Sequence, residues 1–162
     1  MSLREILLTL PNRPGTLAGV ARILAQERIN LAAISVDSAA GKGRVRLIVN
    51  DPDRATALLA GSGYSVEVRE MLAVRLEDRA GSFLRVLDAL ARAKVNLQSV
   101  AILVAREGNE PLVALSASDL AAARKVLQKA GFTSRVSEGI TSNEELLAAA
   151  PSIPSESVGL HR

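Results

Sequence analysis

Cysteine and tryptophan are absent from this 162-residue chain, and histidine occurs once. The first absence excludes disulfides, thiolate metal sites and cysteine nucleophiles, and it fits a reducing compartment. Aromatic side chains make up 2% of the residues, one Tyr and two Phe. The core must therefore be filled by Leu, Ile, Val and Ala, and stacking platforms for single-stranded nucleic acid are disfavoured. The lone histidine is His161, next to the C-terminus, and no acid, base and nucleophile converge elsewhere in a recognisable constellation. Acidic residues are scattered, so no metal site is expected, no cofactor is implied, and the chain is not expected to be an enzyme. Lys42-Gly43 lacks the glycine spacing and the Lys-Ser/Thr ending of a phosphate loop. Long apolar runs are missing too. Ile6 to Leu8 breaks off near Pro11, which gives neither a signal peptide nor a membrane span and makes a cytoplasmic location the expectation.

What is present is a globular composition, 48% hydrophobic and 23% charged, with a net charge of +3. That charge is too thinly spread for the basic stripe of a nucleic-acid binder. The chain also repeats itself. Leu10-Pro11-Asn12-Arg13-Pro14-Gly15 is matched 66 residues later by Leu76-Glu77-Asp78-Arg79-Ala80-Gly81. At the same offset Arg28-Ile29-Asn30-Leu31 returns as Lys94-Val95-Asn96-Leu97, and Asp53 returns as Asp119. Gly63-Tyr64 returns as Gly131-Phe132 after a small change of length. Two homologous units are thus expected, residues 1–70 and 71–138.

Each unit opens with an apolar run of strand length, Ile6 to Leu10 or Leu72 to Leu76. A helical period follows, Leu17, Val20, Ala21, Leu24 in one unit and Phe83, Val86, Leu87, Leu90 in the other. Strands are predicted from Asn30 to Val36 and Asn96 to Val104, and again from Val45 to Val49 and Leu112 to Leu115. Turn-forming residues between them make hairpins. Asp51 with Pro52 begins a second helix, whose copy runs through Leu120, Ala123, Leu127 and Ala130, and Gly63 and Gly131 stop these helices. Short ends from Ser65 to Val68 and Thr133 to Val136 complete the order βαββαβ twice. The fold class is α+β: two ferredoxin-like units with antiparallel sheets and the helices on one face. A unit of about 70 residues buries only roughly 60% of its unfolded surface, so the units should pair. Residues 139–162 read as a short helix from Thr141 to Ala150 and a disordered tail.

Chemistry concentrates at the turn between the first strand and first helix, Asn12 to Leu17, with its copy Asp78 to Phe83. Backbone N–H groups at a helix N-terminus lack partners and the dipole favours an anion, so a ligand carboxylate has a seat there. Gly15 and Gly81 permit close approach to the backbone. Asn12 offers donors and an acceptor, and Asp78 only acceptors suited to an ammonium group. The same Asn12 and Asp78 could equally do no more than cap helices, and Asn30 and Asn96 no more than stop them.

The pattern Asn-Arg-Pro-Gly-x-Leu, then a helix, then Ile-Asn-Leu, resembles the ACT domain, and residues 3–138 as a whole resemble stand-alone tandem ACT proteins. That resemblance implies a free amino acid bound between ACT units, held by the strand-to-helix loop and by the Asn after the helix. Carried over, the ligand-binding residues are Asn12, Arg13, Pro14, Gly15, Thr16, Leu17, Asn30 and Leu31, with Asp78, Gly81, Ser82, Phe83 and Asn96 in the second unit. Leu10 and Leu76 replace the polar residue that some members use, and Ala80 replaces the loop Pro. Ser35 and Asp37 are candidates to line the interface. The implied role is allosteric: a homodimer whose ligand acts on a regulated partner enzyme, with no nucleic acid and no membrane involved. RNA-recognition domains share the βαββαβ order, but Val45, Leu47, Val49, Arg46 and Ile48 place no ring on either face of the third strand. A purely structural regulatory subunit without ligand is the remaining alternative.

Overall fold

A computed structural model of the chain describes residues 3–39, 41–107, 110–132 and 143. Its elements in chain order are β1 (Leu3–Pro11), α1 (Thr16–Gln26), β2 (Leu31–Ala39), β3 (Lys42–Val49), α2 (Pro52–Gly61), β4 (Ser65–Arg75), α3 (Ser82–Arg92), β5 (Leu97–Glu107), β6 (Glu110–Ala117) and α4 (Leu120–Lys129). The strands form a six-stranded antiparallel sheet ordered β2-β3-β1-β4-β6-β5. This is the expected α+β ferredoxin-like arrangement, with one difference. The two strands expected at Ser65 to Val68 and Leu72 to Leu76 are one, because no turn residue interrupts the apolar alternation through Met71. Leu3 to Thr9 of β1 pairs with Met71 to Ser65, and Leu72 to Arg75 of the same strand pairs with β6. The expected boundary at residues 70 and 71 thus falls inside a shared strand. The strand expected over 133–136 lies outside the described residues, as does the tail helix apart from Asn143.

Strand alternation divides the apolar residues between two faces. Ile6, Leu8 and Leu10 of β1 and Val45, Leu47 and Val49 of β3 pack with Val20, Leu24, Ala55 and Leu59 of the helices. Leu72, Val74, Val113 and Leu115 likewise pack with Val86, Leu90, Ala123 and Leu127. Each fully buried Leu contributes about 1.5–3 kcal/mol by leaving water. Leu17 and Ala21, expected on the buried stripe of α1, lie outside it, and Leu17 is 36% exposed. The stripe runs through Val20, Leu24 and the half-buried Ile23 instead.

On the opposite face, Leu3, Ala32, Ile48, Met71, Ala73, Leu103, Leu112 and Ala114 form one cluster drawn from both units. The sheet folds back so that the faces without helices cover each other, and the edge strands β2 and β5 touch. Small Ala side chains allow that approach. Glu5 is buried here with Ser99 and Ser116. The Ser99 hydroxyl donates to Glu5 Oε2 (3.0 Å) and lies 2.7 Å from the Ser116 hydroxyl.

The caps are repeated between units. Asp51 accepts from Arg54 N–H at the start of α2, and Asp119 from Ala122 N–H at the start of α4. Asp119 therefore corresponds to Asp51, not to Asp53 as the constant offset suggested. The change of length lies earlier, in the β5–β6 hairpin, where the pairing shifts between Leu103 and Arg106. Helices α1 and α3 are stopped by Arg28 and Lys94, both at φ 55°, with Ile29 N–H bonded to the Leu24 carbonyl and Val95 N–H to Leu90. These 6→1 bonds satisfy the last carbonyls, so Asn30 and Asn96 are not the helix stops. Asn143 extends the pairing of β1: its Oδ1 accepts from Arg4 N–H, and its Nδ2 donates to the Arg4 carbonyl, both at 2.8 Å.

Candidate ligand-binding site

At the first strand-to-helix corner, Asn12 N–H donates to the Gly41 carbonyl (3.1 Å), Arg13 N–H to Pro11 (2.9 Å) and Thr16 N–H to Arg13 (3.2 Å). Gly15 is the N-cap of α1 at φ 86°, and no side chain caps the helix. The positive φ is the reason glycine stands there. The capping alternative for Asn12 is thereby excluded. Its amide donates to the Ser38 hydroxyl (2.8 Å), which ties the corner to the end of β2. The N–H groups of Leu17 and Ala18 have no hydrogen-bond partner among the described residues, so the helix N-terminus presents open donors beside exposed Arg13 and Pro14 and half-buried Thr16.

The second corner repeats this backbone. Gly81 is the N-cap of α3 at φ 87°, again without a side-chain cap, Arg79 N–H donates to Glu77 (2.8 Å), and Ser82 N–H donates to Arg79 (3.2 Å). Asp78 is exposed, Ser82 buried, and Phe83 half-buried against the core of its unit.

The asparagines after the helices are far from the corners of their own units. Asn30 begins β2, with its N–H on Asn50 Oδ1 (3.0 Å), while Asn12 is bonded at the far end of the same strand. Nine residues of strand separate those ends by roughly 26 Å. Asn12 and Asn30 of one chain therefore cannot hold the same small ligand.

The seam between β2 and β5 offers a different pairing. Gln98 lines a groove with Thr9, Asp37, Arg44, Arg46 and Arg69, and Val100, Ala101 and Ile102 line a cavity with Ala33, Ile34 and Ser35. The strands thus run in opposite directions across the seam. That direction carries Asn96 toward the Asn12 corner, and Asn30 toward the β5–β6 hairpin. The groove has a volume of about 450 Å³, enough for an amino acid. Asp37 faces it and Ser35 faces the neighbouring cavity, and both hold Arg46, which donates to the Ser35 hydroxyl (3.1 Å) and to Asp37 Oδ2 (2.5 Å). These arginines were not among the ligand-binding residues read from the sequence. Their alternation on β3 was visible, but not that this face stays partly open.

The fold and the corners define the class: an α+β protein of ferredoxin-like units in which the helix after the first strand of each unit has no side-chain cap at its N-terminus. The family model of the ACT domain matches residues 4–60. Among solved structures, protein BT0572 from Bacteroides thetaiotaomicron is 26% identical, with 82% of this chain and 90% of that one covered and a TM-score of 0.75. The ligand-free regulatory subunit of aspartate kinase from Thermus thermophilus is 19% identical, with 80% and 93% covered and a TM-score of 0.56. Its counterpart from Thermus flavus is 18% identical, with 81% and 94% covered and a TM-score of 0.55. These two show the shared fold. No curated protein gives a significant match.

Proposed function

We propose that this chain is a non-catalytic regulatory sensor built of two ACT units, which binds a free amino acid at the ends of the β2–β5 seam. The observation that carries the reading is the first corner: open N–H donors of α1, with the Asn12 amide anchored on Ser38 at the end of the seam to which the antiparallel run of β5 brings Asn96. The carboxylate would take the helix N-terminus, where dipole and unsatisfied donors act together. Asn12 and Asn96 would hold the amino group. The second corner offers Asp78, Gly81, Ser82 and Phe83 together with Asn30 and Leu31.

A ligand held by both units stabilises one geometry of the seam, and its differential affinity for two geometries is the signal. The output would pass to a partner enzyme, a role supported by the likeness to aspartate kinase regulatory subunits. A homodimer is supported by Ile34, Val36, Val100 and Ile102, which are 40–74% exposed along the two edge strands. Apolar strips on strand edges are surfaces that a second copy covers.

The test is a thermal-shift screen of the chain against the twenty amino acids, with a short RNA pool alongside. Ligand at about 100 times its Kd adds about 2.7 kcal/mol, so a selective rise in Tm with one chemical group of amino acids is the expected result. A salt-sensitive response to RNA without any amino-acid response would contradict it.

A further inference from the structure

We infer that the second unit carries an oxyanion site, absent from the first, in a pocket of about 220 Å³ between the first turn of α3 and the turn after α4. Ser82 lines this pocket and is only 7% exposed, and its buried hydroxyl has no hydrogen-bond partner. A buried hydroxyl in that state is anomalous, and a ligand oxygen would satisfy it. The N–H groups of Phe83 and Leu84 stand open on the same turn, at the positive end of an eleven-residue helix. Arg75 and Arg85 also line the pocket. The Arg85 guanidinium lies 5.5 Å from the centre of the Phe132 ring and pairs with no carboxylate among the described residues, so the ring holds it in place with its donors unfilled. Glu77 at the rim is neutralised by Arg79, Nε to Oε2 at 2.6 Å.

These donors come from several directions: a hydroxyl, helix N–H groups and the planar guanidinium fork of Arg85. Together they suit a phosphate monoester or a carboxylate. The first unit has no counterpart. Thr9 stands in place of Arg75 and Gly19 in place of Arg85, and a Cβ on Gly19 would lie 3.3 Å from the Tyr64 hydroxyl. Helix α4 packs on β4 and β6, and no residue of β2 or β5 lines the pocket. It shares Ser82 and Phe83 with the second corner of the amino-acid reading and nothing with the first: a chain that binds phosphate and no amino acid keeps this site and loses the one at Asn12.

The experiment is an amide NMR titration of the full chain with inorganic phosphate and, in a second arm, acetate at matched ionic strength. The expected result is a saturable shift of the Phe83 and Leu84 resonances with no matching shift at Leu17 and Ala18. Arg85→Met should weaken the apparent affinity about tenfold, and Ser82→Ala should weaken it less while preserving the fold. A stronger response to phosphate supports a phosphate monoester as ligand, and a stronger response to acetate supports a carboxylate. Equal shifts at both corners, no saturation, or an unchanged titration in Arg85→Met would overturn the site.

Discussion

The two strand-to-helix corners share a backbone and differ in nearly everything attached to it. Gly15 and Gly81 have φ of 86° and 87°, and the matched corner hydrogen bonds agree within about 0.3 Å. Yet one corner carries Asn12, Thr9 and Gly19, and the other Asp78, Arg75 and Arg85. The interior repeats the lesson. Glu5, Ser99 and Ser116 of one half occupy places that Met71, Ala33 and Ile48 occupy in the other, so one half is a polar network and the other plain apolar packing. The two corners share the geometry that folding requires, and their chemistry differs where folding leaves it free.

The largest effects should be equal in the two units. Leu24→Ala and Leu90→Ala, at matched and fully buried positions, should each cost about 2–5 kcal/mol in denaturant unfolding. A large difference would show that the shared framework is not shared in energy. Ser99→Ala should cost about 1–3 kcal/mol, because the buried Glu5 carboxylate loses its hydrogen bond. Loss of stability near zero would mean that water replaces the hydroxyl and that the polar half is not dry. Gly15→Ala and Gly81→Ala should each cost about 1–2 kcal/mol from the positive φ alone, since nothing lies within 4 Å of the added Cβ.

The smallest effect separates the units electrostatically. Arg4 donates to Asp53 through both terminal nitrogens, at 2.6 and 2.8 Å, and the pair has no copy, because Glu70 stands where Arg4 would repeat. That hydrogen bond lowers the Asp53 carboxyl below its ordinary range and raises the Arg4 guanidinium. A lowered folded-state value adds stability above the unfolded carboxylate value of about 3.9 and loses it as pH falls through the folded value. Asp53→Asn should therefore flatten the acid limb of the stability curve slightly, the exposed pair being screened by solvent.

The order of elements was legible because apolar periodicity and glycine stops are local signals. Asp51 with Pro52 announced the start of α2, and Gly63 announced its end. The shared strand was not legible: Ser65 to Arg75 contains no turn signal, but neither does its pattern show that it changes partners at Leu72. Arg28 and Lys94 as helix stops were hidden by the left-handed backbone that only the fold imposes on them. The loop residues of the candidate site could be read as a motif. Which asparagine faces which loop could not, because that depends on the antiparallel run of β5 along β2. The Ser82 pocket depends on Phe132 and Arg85 meeting across about 47 residues, a distance in sequence that no local pattern reports.

The central claim is that Asn12 and Asn96 serve one ligand across the seam. It is tested most directly by a double-mutant cycle in isothermal titration with the amino acid that raises Tm most. Asn12→Ala and Asn96→Ala should be non-additive by about 0.5–3 kcal/mol, while Asn12→Ala and Asn30→Ala should add. Additivity of the first pair, or coupling confined to the second, would contradict the account.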